Sequence, residues 1–358
     1  PATAQDATLR MGGSVERVSA SGDYDAAVFA RRLGHVSALA RDADGTIFAA
    51  DRDGGRIFRI QDRRQDGTAD ITQALPQQFD RPTGLAVAGD TLFVADQGGL
   101  WRVQPGGGTP TLIAPFANSG STGDAHPLTW ISPTALLLGL SRTDGTARLL
   151  EIDTASGRAT LREETRGQII GFASLARTDG EEAEFPRPWI LLRRDNKTLF
   201  GSTLAAARDV GVDAQAVWID EANGRANMAL PDGVYMTLAT FAGLKDKGTP
   251  IVSGFRGVAR PGVMLSDARG LFVADQAGGR LWRVTPKPAP SQNVPPAENN
   301  PLESQIATDV NDDGAQRPEL MRGSGIERAS TIGRGSTMPQ ASTLPEADQP
   351  RAASDPNE

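Results

Sequence analysis

The chain has 358 residues, 39% hydrophobic and 23% charged, with 40 glycines and a net charge of −7. It has no cysteine, which excludes disulfides and thiolate metal sites, and its acidity argues against general nucleic-acid binding. No run of about 18 apolar residues is present, so no membrane-spanning helix is expected.

The chain opens "PATAQDATLR", without Met. Such a small-residue start suggests a trimmed secretion signal and a protein in the periplasm or outside the cell, although a fragment of a longer chain would begin the same way. Residues 1–11 read as an N-terminal extension. Residues 12–20, "GGSVERVSA", are the expected strand that closes a ring.

Residues 47–60 read "IFAADRDGGRIFRI", residues 92–103 "LFVADQGGLWRV", and residues 271–284 "LFVADQAGGRLWRV". Each is a short apolar run ending in Ala-Asp, a Gly-rich turn, then a second apolar run. That is a strand, a hairpin and a strand, with glycines supplying positive φ and the Asp accepting backbone N–H groups. Upstream of Asp96, "PTGLAVAGD" reads as another strand, and "TPTLIAPF" downstream as a fourth.

Asp51 and Asp96 stand 45 residues apart, and Asp275 follows after 179 more, close to four further steps. The intermediate steps fall on hairpin-like stretches: Ser141 in "LLLGLSRTDGTARLLEI", then "PWILLRRDNKTLFGSTL" (188–204), then "PDGVYMTLATFAG" (231–243). Six units of four short strands at a period near 45 predict an all-β, six-bladed β-propeller over residues 12–286. Period-2 alternation and Gly-rich turns reject a helical solenoid of the same period.

From Lys287 onward the composition changes. Residues 287–358 hold ten of the 24 prolines and no Phe, Trp or Tyr. Too little apolar surface is present to offset the entropy of ordering, so a disordered C-terminal tail is expected. Its "DVNDDG" (Asp309, Asn311, Asp313, Gly314) resembles half a calcium loop, but Glu319 falls at loop position 11 rather than 12.

The repeated Asp serves as a ruler for the mouth of the propeller. Fifteen residues before Asp96 stands Arg81, before Asp275 stands Arg260, and before Ser141 stands His126. With one extra residue in the first blade the match is His35, and Arg166 falls near the fourth position. Cationic and imidazole groups at those places could converge on an anionic ligand or supply a general base. Alternatively they only shape strand entry. Asp62, Asp66 and Asp70, with Gly67 for a turn, form a candidate Ca²⁺ set; Arg63 and Arg64 beside them favour a charged hairpin instead. No phosphate-binding loop or nucleophile elbow is present.

The stretch from "VSALARDADGTIFAADRDGG" through "RPTGLAVAGDTLFVADQGGLWRV", and the closing "ARPGVMLSDARGLFVADQAGGRLWRVTP", resemble the soluble glucose/sorbosone (aldose sugar) dehydrogenase-like family. Its active members are six-bladed propellers that use pyrroloquinoline quinone (PQQ) and calcium. The resemblance implies that His126, in "GDAHPLTW", is the base that takes a substrate hydroxyl proton. It implies that Arg260 lies near the cofactor, with Arg81, Arg166 and His35 as further quinone-binding candidates. Active members carry an Arg-Asn pair where this chain has "RGQIIGFA", with Arg166 and no Asn.

Two functions stay open. One is a PQQ-dependent oxidoreductase of sugars or aldehydes. The other is a non-catalytic propeller that binds a small ligand or a protein partner at its mouth. A hydrolytic propeller with a mouth calcium lacks an inward acidic set.

Overall fold

A computed structural model describes residues 6–11, 14–116, 125–176, 188–220, 225–240, 243–244, 248–255, 260–267, 269–276 and 278–288. Residues 289–358, with the expected tail and its "DVNDDG" motif, lie outside the described residues.

Three strands come first: β1 (Asp6–Met11), β2 (Ser14–Ala20) and β3 (Tyr24–Arg31). Blade 1 is β4 (Val36–Arg41), β5 (Ile47–Asp51), β6 (Arg56–Gln61) and β7 (Ile71–Ala74). Blade 2 is β8 (Gly84–Ala88), β9 (Thr91–Ala95), β10 (Gly99–Val103) and β11 (Thr111–Pro115). Blade 3 is β12 (Leu128–Ser132), β13 (Ala135–Ser141), β14 (Thr146–Asp153) and β15 (Ala159–Arg166). Blade 4 is β16 (Gln168–Ala176), β17 (Trp189–Arg194), β18 (Lys197–Gly201) and β19 (Arg208–Asp209). Blade 5 is β20 (Ala216–Asp220), β21 (Arg225–Leu230), β22 (Gly233–Thr240), the short β23 (Gly243–Leu244) and β24 (Thr249–Ser253). Blade 6 is β25 (Pro261–Asp267), β26 (Gly270–Asp275) and β27 (Arg280–Pro286), completed by β3. The protein is an all-β, six-bladed propeller.

The ring closes with a different strand from the one expected. Antiparallel pairing of β3 with β27, Val28 opposite Trp282, completes blade 6. Residues 14–20 instead form β2, which pairs with β24 on the outside of blade 5, and β1 pairs with β2. The reason lies in what β3 buries. Phe29 and Ala30 enter the core between blades 6 and 1, and Phe29 meets the edge of Phe272 at 4.9 Å between centroids.

The first apolar run of the repeated phrase is the second strand of a blade, buried on both faces. Leu92 and Val94 pack towards blade 1, while Phe93 and Ala95 pack towards blade 3. Leu271 and Val273 likewise face blade 5, with Phe272 and Ala274 towards blade 1. A strand sandwiched between sheets has no solvent face, so its pattern is a continuous apolar run. Each of the six buried clusters lies between two neighbouring blades. Stability therefore resides in blade-to-blade packing rather than in one central core.

The turns of blade 3 carry acid-sensitive contacts. The Thr146 hydroxyl, then its N–H, holds the Asp144 carboxyl below the usual carboxylate range, and the Ser156 hydroxyl and N–H do the same for Asp153. A depressed folded-state pKa contributes stability above the ordinary value and loses it as pH falls through the lower folded value. Amide exchange at these two turns should therefore hold steady from neutral pH down to about pH 4 and loosen only below it, once the intrinsic pH dependence is removed. Loosening between pH 7 and 5 would contradict this assignment.

Candidate functional site

The inner strands β4, β8, β12, β16, β20 and β25 surround an axial cavity of about 110 Å³. Ser37, Thr83, Thr129 and Gln215 supply its polar lining, and the remaining lining is apolar or glycine. Among the described residues no ionisable side chain lines it.

The repeated Asp clamps the entry of the inner strand to the hairpin that follows the second strand. Asp51 Oδ1 accepts the N–H groups of His35 (3.0 Å) and Gly54 (3.1 Å), and Oδ2 accepts from Arg56 (3.1 Å). Asp96 Oδ2 accepts the Asp80 N–H (3.0 Å), while Oδ1 accepts from Gly98, Gly99 and the Trp101 indole at 2.8–2.9 Å. In blade 3, Ser141 Oγ takes the Asp position and accepts the Ile169 N–H at 3.1 Å. These groups hold the mouth in shape.

The clamps also correct the ruler used on the sequence. The residue after each Asp donates its N–H back to strand entry: Arg52 to His35 O, Gln97 to Asp80 O and Gln276 to Arg260 O, each 2.9 Å. His35, Asp80 and Arg260 are thus the equivalent positions. Arg81 stands one residue further on, in a left-handed conformation with φ 53°. His35 is half-buried and its Nδ1 lies 3.0 Å from Asp53 Oδ2. Arg260 is exposed.

His126 sits deeper than the ruler implies. Leu128 pairs with Leu138. Continuing that register puts His126 level with Leu140, one residue before Ser141. Gly84 holds the same level in blade 2, opposite Ala95 and one residue before Asp96. A Cβ on Gly84 would lie 2.1 Å from the His126 carbonyl oxygen, so the two strands touch there through a glycine. His126 is 0% exposed. Thr83 Oγ1 accepts its N–H at 3.0 Å and lies 2.9 Å from its Nδ1, and its ring stacks on Phe116 at 5.2 Å. Thr83 and Phe116 had no sequence signal; each is an ordinary residue of a neighbouring blade.

Arg166 ends β15, opposite Thr146, and belongs to the outer strand of blade 3. It lines a separate cleft between blades 3 and 4 and not the axial cavity. The expected ring of cations around one axial point is therefore not formed by these residues.

Asp62, Asp66 and Asp70 do not converge as metal ligands. Asp62 accepts the N–H groups of Asp66 (3.1 Å) and Gly67 (3.0 Å), and its Oδ2 lies 3.7 Å from Arg283 Nη1. Arg64 pairs with Asp66 at 3.4 Å and closely with Asp70. The Arg64 N–H bond, then its guanidinium, holds the Asp70 carboxyl below its usual range. Among the described residues no group of three or more His, Asp or Glu side chains is arranged to hold a metal ion. Arg64, which dilutes this acidic stretch, claims Asp66 and Asp70, while backbone donors and Arg283 of blade 6 claim Asp62.

Neither a protein-family model nor a curated protein matches this chain. Solved structures do match in fold. A calcium structure of a Trichoderma reesei carbohydrate-active enzyme of family AA12 superposes with a TM-score of 0.54 at 11% identity, covering 75% of this chain and 96% of that one. The two share the six-bladed propeller fold. The holo PQQ domain of pyranose dehydrogenase from Coprinopsis cinerea gives 0.53 at 10% identity, over 75% of this chain and 97% of its own. The PQQ-bound aldose sugar dehydrogenase of Streptomyces coelicolor gives 0.51 at 12% identity, over 75% and 100%. A putative gluconolactonase superposes as well, at 0.53 and 14% identity. At these identities the likeness is one of fold, and propellers of one fold host different chemistries. No helix among the described residues of this propeller is long and apolar enough to cross a membrane.

Proposed function

We propose that this propeller binds a small ligand or a protein partner at its mouth and does not turn over a quinone cofactor. The observation that carries this reading is His126. A general base must reach its substrate within about 2.6–3.2 Å or through one water. Here the imidazole is fully buried, its Nδ1 faces Thr83 Oγ1 and its ring is stacked on Phe116.

The donor set also fits PQQ poorly. PQQ is a planar quinone bearing several carboxylates, and recognition of such an anion calls for converging cations. Arg166 lines a different cleft from the axial cavity, and Arg81 and Arg260 are absent from the cavity lining. At about 110 Å³ the axial cavity is also well below the roughly 300–1,000 Å³ typical of ligand pockets. Calcium fits no better, given how Asp62, Asp66 and Asp70 are committed.

The dehydrogenase reading has one observation in its favour, the shared fold with PQQ-bound sugar dehydrogenases. Titration with PQQ plus Ca²⁺, followed by absorbance and by dye reduction with aldoses and aldehydes, separates the two. The expected result is no saturable binding at micromolar PQQ and no turnover. His126→Ala should act on stability instead, lowering it by about 2–3 kcal/mol through a lost buried hydrogen bond and ring packing. Turnover that disappears in His126→Ala would establish the dehydrogenase.

A further inference from the structure

A cleft of about 390 Å³ opens between blades 3 and 4, lined by Arg142, Arg166, Gln168, Arg193, Arg194 and Asn196 among others. It shares no residue with the axial cavity. Four guanidinium groups line it against a single carboxylate, Asp195, in a chain whose net charge is −7.

Two of these cations are already neutralised. Arg142 pairs with Asp144 at 2.7 Å and Arg193 with Asp213 at 2.6 Å. Among the described residues, the side chains of Arg166 and Arg194 make no ion pair or hydrogen bond, and neither do the carboxamides of Gln168 and Asn196.

The backbone brings these groups together by construction. Gly167 donates its N–H to Gly145 O at 3.0 Å, which seats Arg166 beside the hairpin that follows β13. Gln168 pairs directly with Arg193. Asp195 and Asn196, at φ 53° and 60°, form the tight two-residue turn that sets Arg194 opposite Lys197. Gly167 has φ 121°, and a Cβ there would lie 2.6 Å from Arg193 O and 3.3 Å from Arg194 Cβ. Only glycine lets the β15–β16 connection pass this close beneath Arg194.

Unpaired guanidiniums gathered in one cleft repel each other, and their planar N–H forks match an oxyanion two bonds at a time. Free carboxamides beside them offer both donors and acceptors, which suits hydroxyl groups. We infer that the cleft between blades 3 and 4 binds a small hydroxylated oxyanion, either a sugar acid or a sugar phosphate, with Arg166 and Arg194 on the anionic group and Gln168 and Asn196 on hydroxyls. This site does not depend on the axial reading, because PQQ titration and the test below report on different residues.

The test is calorimetry at low ionic strength with galacturonate, glucose 6-phosphate, neutral glucose and inorganic phosphate as probes. Binding of either charged sugar is expected, tighter than inorganic phosphate and absent for glucose. Preference between the two charged sugars identifies the anionic group. Arg166→Gln and Arg194→Gln should each weaken it about tenfold, the worth of one charge-assisted hydrogen bond of roughly 1.4 kcal/mol. Arg31→Gln, an equal charge change at an exposed residue ending β3 of blade 6, should leave it unchanged. Thermal melts of all three variants establish that they are folded. Binding of neither charged sugar at concentrations up to about 10 mM would overturn the site. Equal loss in Arg31→Gln and Arg166→Gln, or inorganic phosphate binding as tightly as the sugars, would also overturn it.

Discussion

Arg283→Met should destabilise the ring by about 3 kcal/mol, because removing one partner of a buried ion pair strands the other charge. Arg283 is only 7% exposed and lies between two carboxylates, Asp267 at 2.8 Å and Asp62 at 3.7 Å, themselves 11% and 10% exposed. Its guanidinium also sits 5.0 Å from the Phe272 ring centroid and 5.8 Å from that of Phe29. One side chain thus links blade 6, the closing strand β3 and the acidic β6–β7 connection of blade 1. The loss should appear as a fall in Tm on the order of 5–10 °C. Faster amide exchange in β3 should accompany it, since closure is the step that Arg283 supports. The carboxylates keep backbone donors, at Arg269 N for Asp267 and at Asp66 N and Gly67 N for Asp62. For that reason the expected figure stands at the low end of the range for broken buried pairs. Adding Asp267→Asn to Arg283→Met should recover part of it, because a neutral amide no longer demands a cation. A single-variant loss under about 1 kcal/mol would show that the group is solvated in solution.

Asp96→Ala should cost at least as much, about 3–4 kcal/mol, by leaving buried donors without an acceptor. The carboxylate is 2% exposed and accepts four hydrogen bonds, from Asp80 N, Gly98 N, Gly99 N and Trp101 Nε1. Asp96→Asn keeps the shape but replaces one oxygen by a donor, which cannot serve Asp80 N and the hairpin together. It should fall between wild type and Asp96→Ala in urea midpoints, with an unchanged m-value. A fully tolerated Asp96→Ala would mean that the hairpin and strand entry are held by packing alone. Indole fluorescence of Trp101 adds a local readout, since its Nε1 bond is lost in Asp96→Ala.

Much of this architecture was legible because it repeats. Each copy of the phrase carries two apolar residues for one neighbouring blade and two for the other, then an acceptor, then glycines. Those demands are local to one hairpin, so they write themselves into consecutive residues. Closure of the ring was misread because any short alternating strand can pair with a free edge. Burial of Phe29 against Phe272, contributed by opposite ends of the chain, is what selects β3 over residues 14–20.

The candidate site was less legible, and the errors have register as a common cause. A ruler counted along the chain cannot see the left-handed residue at Arg81, which shifts the equivalent position to Asp80. Nor can it see that the β12–β13 register carries His126 to the buried level of Gly84. The cationic cleft escaped notice for the converse reason: Arg166 and Arg194 belong to different blades and meet only because Gly167 permits a close backbone approach.

The sequence by itself therefore determined the all-β class, the number of blades, the hairpins and the acceptors that clamp the mouth loops of blades 1 and 2. These follow from periodicity and turn chemistry, which act over a few residues. Tertiary structure alone decided which strand closes the ring, how deep His126 lies, which arginines claim Asp62, Asp66 and Asp70, and which cations are left unpaired. Each of these depends on partners brought from distant positions by blade packing, where one residue of register separates a buried side chain from an open one.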